Sequence, residues 1–153
     1  MAKNISIKES IEINVSPENI FDFISNVKND LLWRPEVSKM EVNGDPKHGS
    51  EIIEHITIYK FLHIITPVVI KVLNKPNEFI IETPSTHPTW VHCIRSIEKI
   101  ENEKSIFTVN LSFSTDNLRQ IVPFTPPGKL IIIWYKPRMK KYLRKLKRIL
   151  ETP

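Results

Sequence analysis

Cysteine, glycine and long apolar runs are what this chain has least of, and each shortage removes a class of protein. One cysteine, Cys93, in 153 residues leaves no internal disulfide framework and no Cys-x-x-Cys zinc site. Three glycines are too few to build a phosphate cradle. No GxGxxG, P-loop, GxSxG or HExxH pattern occurs either, so nicotinamide, nucleotide, serine-hydrolase and zinc-protease chemistry have no support. The five histidines lack ligand spacing, so no metal and no other cofactor is expected. The longest uninterrupted apolar stretch, Leu130 to Tyr135, falls far short of the roughly 18–20 residues a membrane-spanning helix requires. The opening MAKNISIKES carries no apolar run of signal-peptide length, which points to a cytoplasmic protein.

What is present is an ordinary globular supply, 41% hydrophobic and 25% charged. A chain of this length buries about two-thirds of its unfolded surface, so one domain over residues 1–153 is expected. The formal net charge of +5 hides an asymmetry. Residues 129–153 hold nine cations and one anion, whereas residues 1–128 hold thirteen cations and sixteen anions. The basic block reads as the solvated face of an amphipathic helix. Alternatively it makes transient contact with RNA, the ribosome or an anionic membrane. No obligate protein partner is indicated.

With glycine scarce, the twelve prolines do most of the punctuation. Ile5 to Val15 alternates strictly, with Ile5, Ile7, Ile11, Ile13 and Val15 on one side, which predicts a half-buried strand. Ser16 and Pro17 form a helix start, and Ile20, Phe21, Phe23, Ile24 and Val27 supply the apolar face. A second short helical turn through Asp30–Trp33 must end before Pro35. Strands are predicted near 36–42, 50–60, 67–74, 78–83, 90–100 and 105–114, with turns at Asn43–Pro46, Lys75–Asn77 and Glu101–Lys104. No helix intervenes, so the sheet should be antiparallel. Residues 116–128 read as an irregular connection. From Lys129 the period turns helical, with Ile132, Tyr135, Met139, Tyr142, Leu143, Leu146, Ile149 and Leu150 in one stripe and Pro137 inside it, kinking the helix or delaying its regular start.

The expected fold is therefore α+β: a curved antiparallel sheet of about seven strands gripping a long C-terminal helix, with two short helices after the first strand. One helix cannot seal a strongly curved sheet along its whole length, so a hollow between them is expected.

Three pieces of the chain resemble the helix-grip superfamily, which includes the birch-pollen-allergen fold, the steroidogenic-acute-regulatory-related (START) lipid-transfer domains and the polyketide cyclase/dehydrase-like proteins. They are the strand-then-helix opening Ile11-Glu-Ile-Asn-Val-Ser-Pro-Glu-Asn-Ile-Phe-Asp-Phe-Ile24, the corner Leu32-Trp-Arg-Pro-Glu-Val37, and the closing Leu143-Arg-Lys-Leu-Lys-Arg-Ile-Leu-Glu151. The resemblance implies binding or transfer of a small hydrophobic molecule such as a lipid, isoprenoid, quinone or polyketide. It also implies the alternative of a cyclase or dehydratase working without metal or nucleotide. The motifs specify a fold rather than a reaction, so function rests on the cavity.

Glu9 occupies the inward parity of the first strand. A carboxylate there needs a partner or a raised pKa. It orients a ligand hydroxyl or moves a proton, or the strand end is solvated there, or a bulge resets the parity. On the 50–60 strand, His55, Thr57 and Tyr59 share one face with Ile53 and Phe61, while Ile52, Glu54, Ile56, Ile58 and Lys60 share the other, and parity leaves open which is inside. His55 and Tyr59 are either polar fixtures of the cavity or cross-strand surface pairs. On the 90–100 strand Trp90 and His92 point together, opposite Cys93 and Arg95. His92 is the best histidine for proton transfer, against an ordinary structural histidine. Arg95 pairs with a ligand carboxylate or with Glu9, or is simply solvated. The proton-transfer candidates are Glu9, His92 and Tyr59. The expected cavity wall is Trp33, His55, Tyr59, Trp90, His92, Phe113, Phe124 and Trp134. Two apolar segments, Phe61–Pro67 and Ile121–Pro127, form a greasy mouth, or the first merely extends the strands.

Overall fold

The computed structural model describes residues 3–58, 60, 62–120 and 126–153. Strand β1 (Asn4–Ile13) keeps its alternation, with Ile5, Ile7 and Ile13 buried and Ser6, Lys8 and Ser10 exposed. Ser16 caps helix α1 (Pro17–Ser25), its Oγ accepting the Asn19 amide at 3.3 Å. Pro17 stands in the first turn, where a missing N–H is no loss. A 3-10 turn (Val27–Asn29) leads into the single-turn helix α2 (Asp30–Trp33), which stops ahead of Pro35.

Six strands follow: β2 (Val37–Val42), β3 (Glu51–Ile58), β4 (Leu62–Asn74), β5 (Glu78–Glu82), β6 (Val91–Glu101) and β7 (Lys104–Ser114). All neighbours are antiparallel, in the order β1-β7-β6-β5-β4-β3-β2. β1 and β2 lie at opposite edges of the curled sheet, and α1 and α2 carry the chain from one edge to the other. In the β2–β3 connection Gly44 and Gly49 take φ of 72° and 85°, the left-handed region where a side chain is strained.

β4 begins five residues before the expected 67. Residues 62–67 pair in register with β3, with Ile64 opposite Ile56 and Thr66 opposite Glu54. The Ile-Ile-Thr run is β-branched and continues the strand. From residue 62 onward the first apolar segment is therefore sheet and no loop. After β7 a 3-10 turn (Thr115–Gln120) occupies part of the expected connection. Of the second apolar segment, residues 121–125, including Phe124, lie outside the described residues, as do Tyr59 and Phe61.

Helix α3 (Gly128–Glu151) has 24 residues and contains Pro137, so its regular start is not delayed. Ile131, Met139, Tyr142, Leu143 and Leu146 face inward. The helix packs chiefly on β1 and against α2 rather than along the middle of the sheet. Two ion pairs and a hydrogen bond secure that placement: Lys136 and Lys140 reach Glu9 at 3.5 and 3.8 Å, and Lys147 donates to the Glu12 backbone carbonyl at 2.7 Å. Ile52, Ile70, Phe79, Phe107, Met139 and Leu146 are sealed between the sheet and the helices. Among the described residues no helix is long and apolar enough to cross a membrane.

Candidate functional site

The space beneath α3 is largely filled, and by charge as well as hydrocarbon. Asp30 of α2 is fully buried and pairs with Arg95 of β6, whose side chain is 2% exposed. Arg95 Nη1 donates to Asp30 Oδ1 and to the Ile24 carbonyl, each at 3.0 Å, and Nη2 donates to Asp30 Oδ2. Arg34 Nη1 meets Asp30 Oδ2 at 3.0 Å and Glu54 Oε1 at 2.6 Å, while its Nε lies 3.5 Å from Glu36. Burial works against the Arg34 charge, but Glu54, Asp30 and Glu36 outweigh it and hold its pKa well above the ordinary arginine value. Arg95 is raised the same way, Asp30 overcoming the desolvation. Trp33 packs edge-on to Phe107 at 6.2 Å and Tyr142 at 5.6 Å, with the Arg95 guanidinium 5.1 Å from its ring centre.

These groups leave a void of about 30 Å³, bounded by Trp33, Arg34, Glu54, Cys93, Arg95 and Tyr142 among others. That is room for about two or three water molecules. Directly beneath the helix, the expected hollow is thus replaced by an aromatic and ionic plug. The roomy space lies to one side. A groove of about 460 Å³ runs between α3 and the β3–β4 strands, because the helix sits over β1 and leaves those strands uncovered. Ile56, Ile58, Ile64 and Pro35 give it an apolar floor, and Trp134 with Arg138, Lys141, Lys145 and Arg148 forms the helical wall.

Tyr135 and Tyr142 border both spaces and divide them. Their hydroxyls stand 3.4 Å apart, and Tyr135 also donates to Glu36 Oε1 at 3.4 Å. Burial pushes both phenols well up, reinforced at Tyr135 by Glu36 and at Tyr142 by Tyr135. Both are neutral hydrogen-bond donors at physiological pH. The carboxylates beside them, Glu36 and Glu54, are engaged by Arg34. Burial also pushes the Cys93 thiol up, so it holds its proton and is a poor nucleophile.

The sequence candidates are scattered around this arrangement. Trp33 is in the interior as expected, 1% exposed, and borders the small void. Trp134 is 41% exposed and lines the groove. Phe113 lies on the inner side of β7, partly buried against the core, away from both spaces. Glu9 does point inward, but toward Lys136 and Lys140 and not toward the groove.

Three candidates for the cavity wall face outward instead. The inner side of β3 is the Ile52, Glu54, Ile56, Ile58 face, so His55 points out and bonds Glu41 at 2.8 Å and His63 at 3.3 Å. On β6 the inner side carries Cys93, Arg95 and Ile97, which places His92 outside, 3.6 Å from Glu82 and stacked on Trp90 at 6.0 Å. Burying Arg95 against Asp30 settles that parity. Tyr59 and Phe124 lie outside the described residues.

The ionic cluster is only faintly written in the sequence. Its signals were local: an Asp30/Arg34 pair four residues apart across an apolar turn, and Glu54 set among isoleucines as Glu9 is. Tyr135 and Tyr142 were visible only as members of the core stripe. Among the described residues no group of three or more His, Cys, Asp or Glu is placed to hold a metal ion.

A family model described as polyketide cyclase/dehydrase and lipid transport matches residues 4–151. Solved structures share the fold at low identity. A START superfamily protein from Mycobacterium smegmatis has a TM-score of 0.76 at 13% identity, covering 95% of this chain and 97% of that one. Truncated norcoclaurine synthase from Thalictrum flavum has a TM-score of 0.67 at 11% identity, covering 99% and 96%. The di-domain ARO/CYC StfQ of the steffimycin biosynthetic pathway has a TM-score of 0.74 at 10% identity, covering 97% of this chain and 51% of that one. No curated protein matches the sequence.

Proposed function

This chain belongs to the polyketide cyclase/dehydrase and lipid-transport family, and from that premise we propose that it binds a small, largely apolar molecule in the groove between α3 and the β3–β4 strands. The observation that carries the reading is the groove itself. Its volume of about 460 Å³ is that of a pocket for a small organic ligand, where apolar walls supply affinity and a few polar groups supply orientation. Covering about 300 Å² of apolar ligand surface contributes about 7 kcal/mol, at about 25 cal/mol per Å², before the costs of association. Glu36 at the inner rim, held by the Tyr135 hydroxyl, is the orienting acceptor for a ligand hydroxyl.

Binding is favoured over turnover by the state of the polar groups. A cyclase or dehydratase moves protons and needs a base as well as an acid. Tyr135 and Tyr142 are acids held protonated, and the adjacent carboxylates Glu36 and Glu54 are ion-paired with Arg34.

The test is titration with Nile red, a neutral dye that brightens in apolar surroundings. The protein should enhance its emission saturably, and Ile58→Glu/Ile64→Glu should weaken binding by at least about tenfold, because charged groups replace the apolar floor against which the dye packs. No enhancement with the unmodified protein, or equal affinity in a folded double variant, overturns the reading.

A further inference from the structure

We infer that the groove selects an amphiphile with a phosphate-like anionic head, recognised by the row Arg138, Lys141, Lys145 and Arg148. This rests on the groove being the binding site and names the class of its ligand. The four cations are spaced three, four and three residues apart, which places them in one line along α3 and on one wall of the groove. Trp134 continues that line by one turn and meets the Arg138 guanidinium at 4.2 Å. The opposite side is the apolar floor of Ile56, Ile58 and Ile64. One elongated site thus offers hydrocarbon along one side and positive charge along the other.

The distribution of acidic partners around the helix makes this more than a basic surface. The cations of α3 that face β1 are matched: Lys136 and Lys140 by Glu9, and Lys147 by Glu151 at 3.4 Å and the Glu12 carbonyl. On the groove side, Lys141, Lys145 and Arg148 have no acidic partner among the described residues. Glu36 is the carboxylate that lines the groove, and it is occupied by Arg34 and the Tyr135 hydroxyl. Like charges at these spacings repel one another along a helix. The row is relieved when an anion settles against it, and a phosphate offers several acceptor oxygens to several donors at once. A neutral lipid would leave that repulsion unanswered.

Calorimetric titration with dodecyl phosphate, dodecanol and inorganic phosphate separates the contributions of head and tail. Dodecyl phosphate should bind at least about tenfold more tightly than dodecanol, and both more tightly than inorganic phosphate. Lys141→Glu/Lys145→Glu should weaken dodecyl phosphate by at least about tenfold. Lys129→Glu/Arg144→Glu makes the same change in net charge at exposed positions outside the groove and should leave that affinity within about twofold. Equal affinity for dodecanol and dodecyl phosphate, or equal losses in the two double variants, overturns the anionic selectivity while the groove remains a binding site. Inorganic phosphate binding as tightly as dodecyl phosphate overturns the amphiphile. Failure of both alkyl compounds to bind overturns the groove reading and the selectivity together.

Discussion

Asp30 governs the interior at the scale of single residues. It accepts hydrogen bonds from both Arg34 and Arg95, so one fully buried carboxylate serves two guanidinium groups. Burying a charge is tolerable only while its partners remain. Replacing Asp30 with Asn keeps the shape but leaves Arg95 facing no carboxylate, and the cost is about 3–5 kcal/mol. Denaturant unfolding should show that loss. The double change Asp30→Leu/Arg95→Met, which removes both charges of the deepest pair, should cost less than Asp30→Asn alone. A double variant as unstable as the sum of its single changes would mean that the two residues act independently. The same logic explains why Trp33, judged from sequence as a cavity wall, is a plug: its ring lies between Arg95, Phe107 and Tyr142.

Helix α3 is the element on which the site depends. Its inner stripe is set by spacing, but its position over the sheet is set by pairing, since Glu9, Glu12 and Asn14 on or beside β1 all engage its side chains. That draws the helix to the β1 edge and opens the groove at the other. Pro137 is the weak point of the helix, because it cannot donate to the carbonyl of Ile133. Its position is exposed, so alanine fits there without displacing anything. Pro137→Ala should raise stability by about 1–3 kcal/mol, measured as a shift in the urea midpoint. An unchanged or lower midpoint would show that the break in the ladder is compensated in the folded helix.

For the whole molecule the relevant variable is alkaline pH. Tyr135 and Tyr142 have folded pKa values pushed above the ordinary tyrosine value by burial. Below about pH 10 both states keep these protons, and the contribution to stability is fully present. As pH rises past that point the unfolded chain alone ionises, and stability falls. Tyrosinate absorbance for these two residues should therefore appear together with unfolding. Their ionisation near pH 10 with the fold intact would contradict this. Tyr135→Phe/Tyr142→Phe should flatten the alkaline limb of the stability profile.

The sequence by itself determined the order of elements, the inward stripe of β1, the capped start of α1 and the amphipathic closing helix. Each of these is written in a local period or a local cap, and a helix or strand forms wherever its neighbours in the chain agree. Only the tertiary structure decided which faces of β3 and β6 turn inward. It also decided that Arg95 is buried and His92 is not, and that the open space lies beside the helix rather than beneath it. Parity along a strand fixes which residues share a face, but not which face meets the core. That choice was made by partners distant in sequence, above all the 65-residue separation bridged by Asp30 and Arg95, and no local pattern records it.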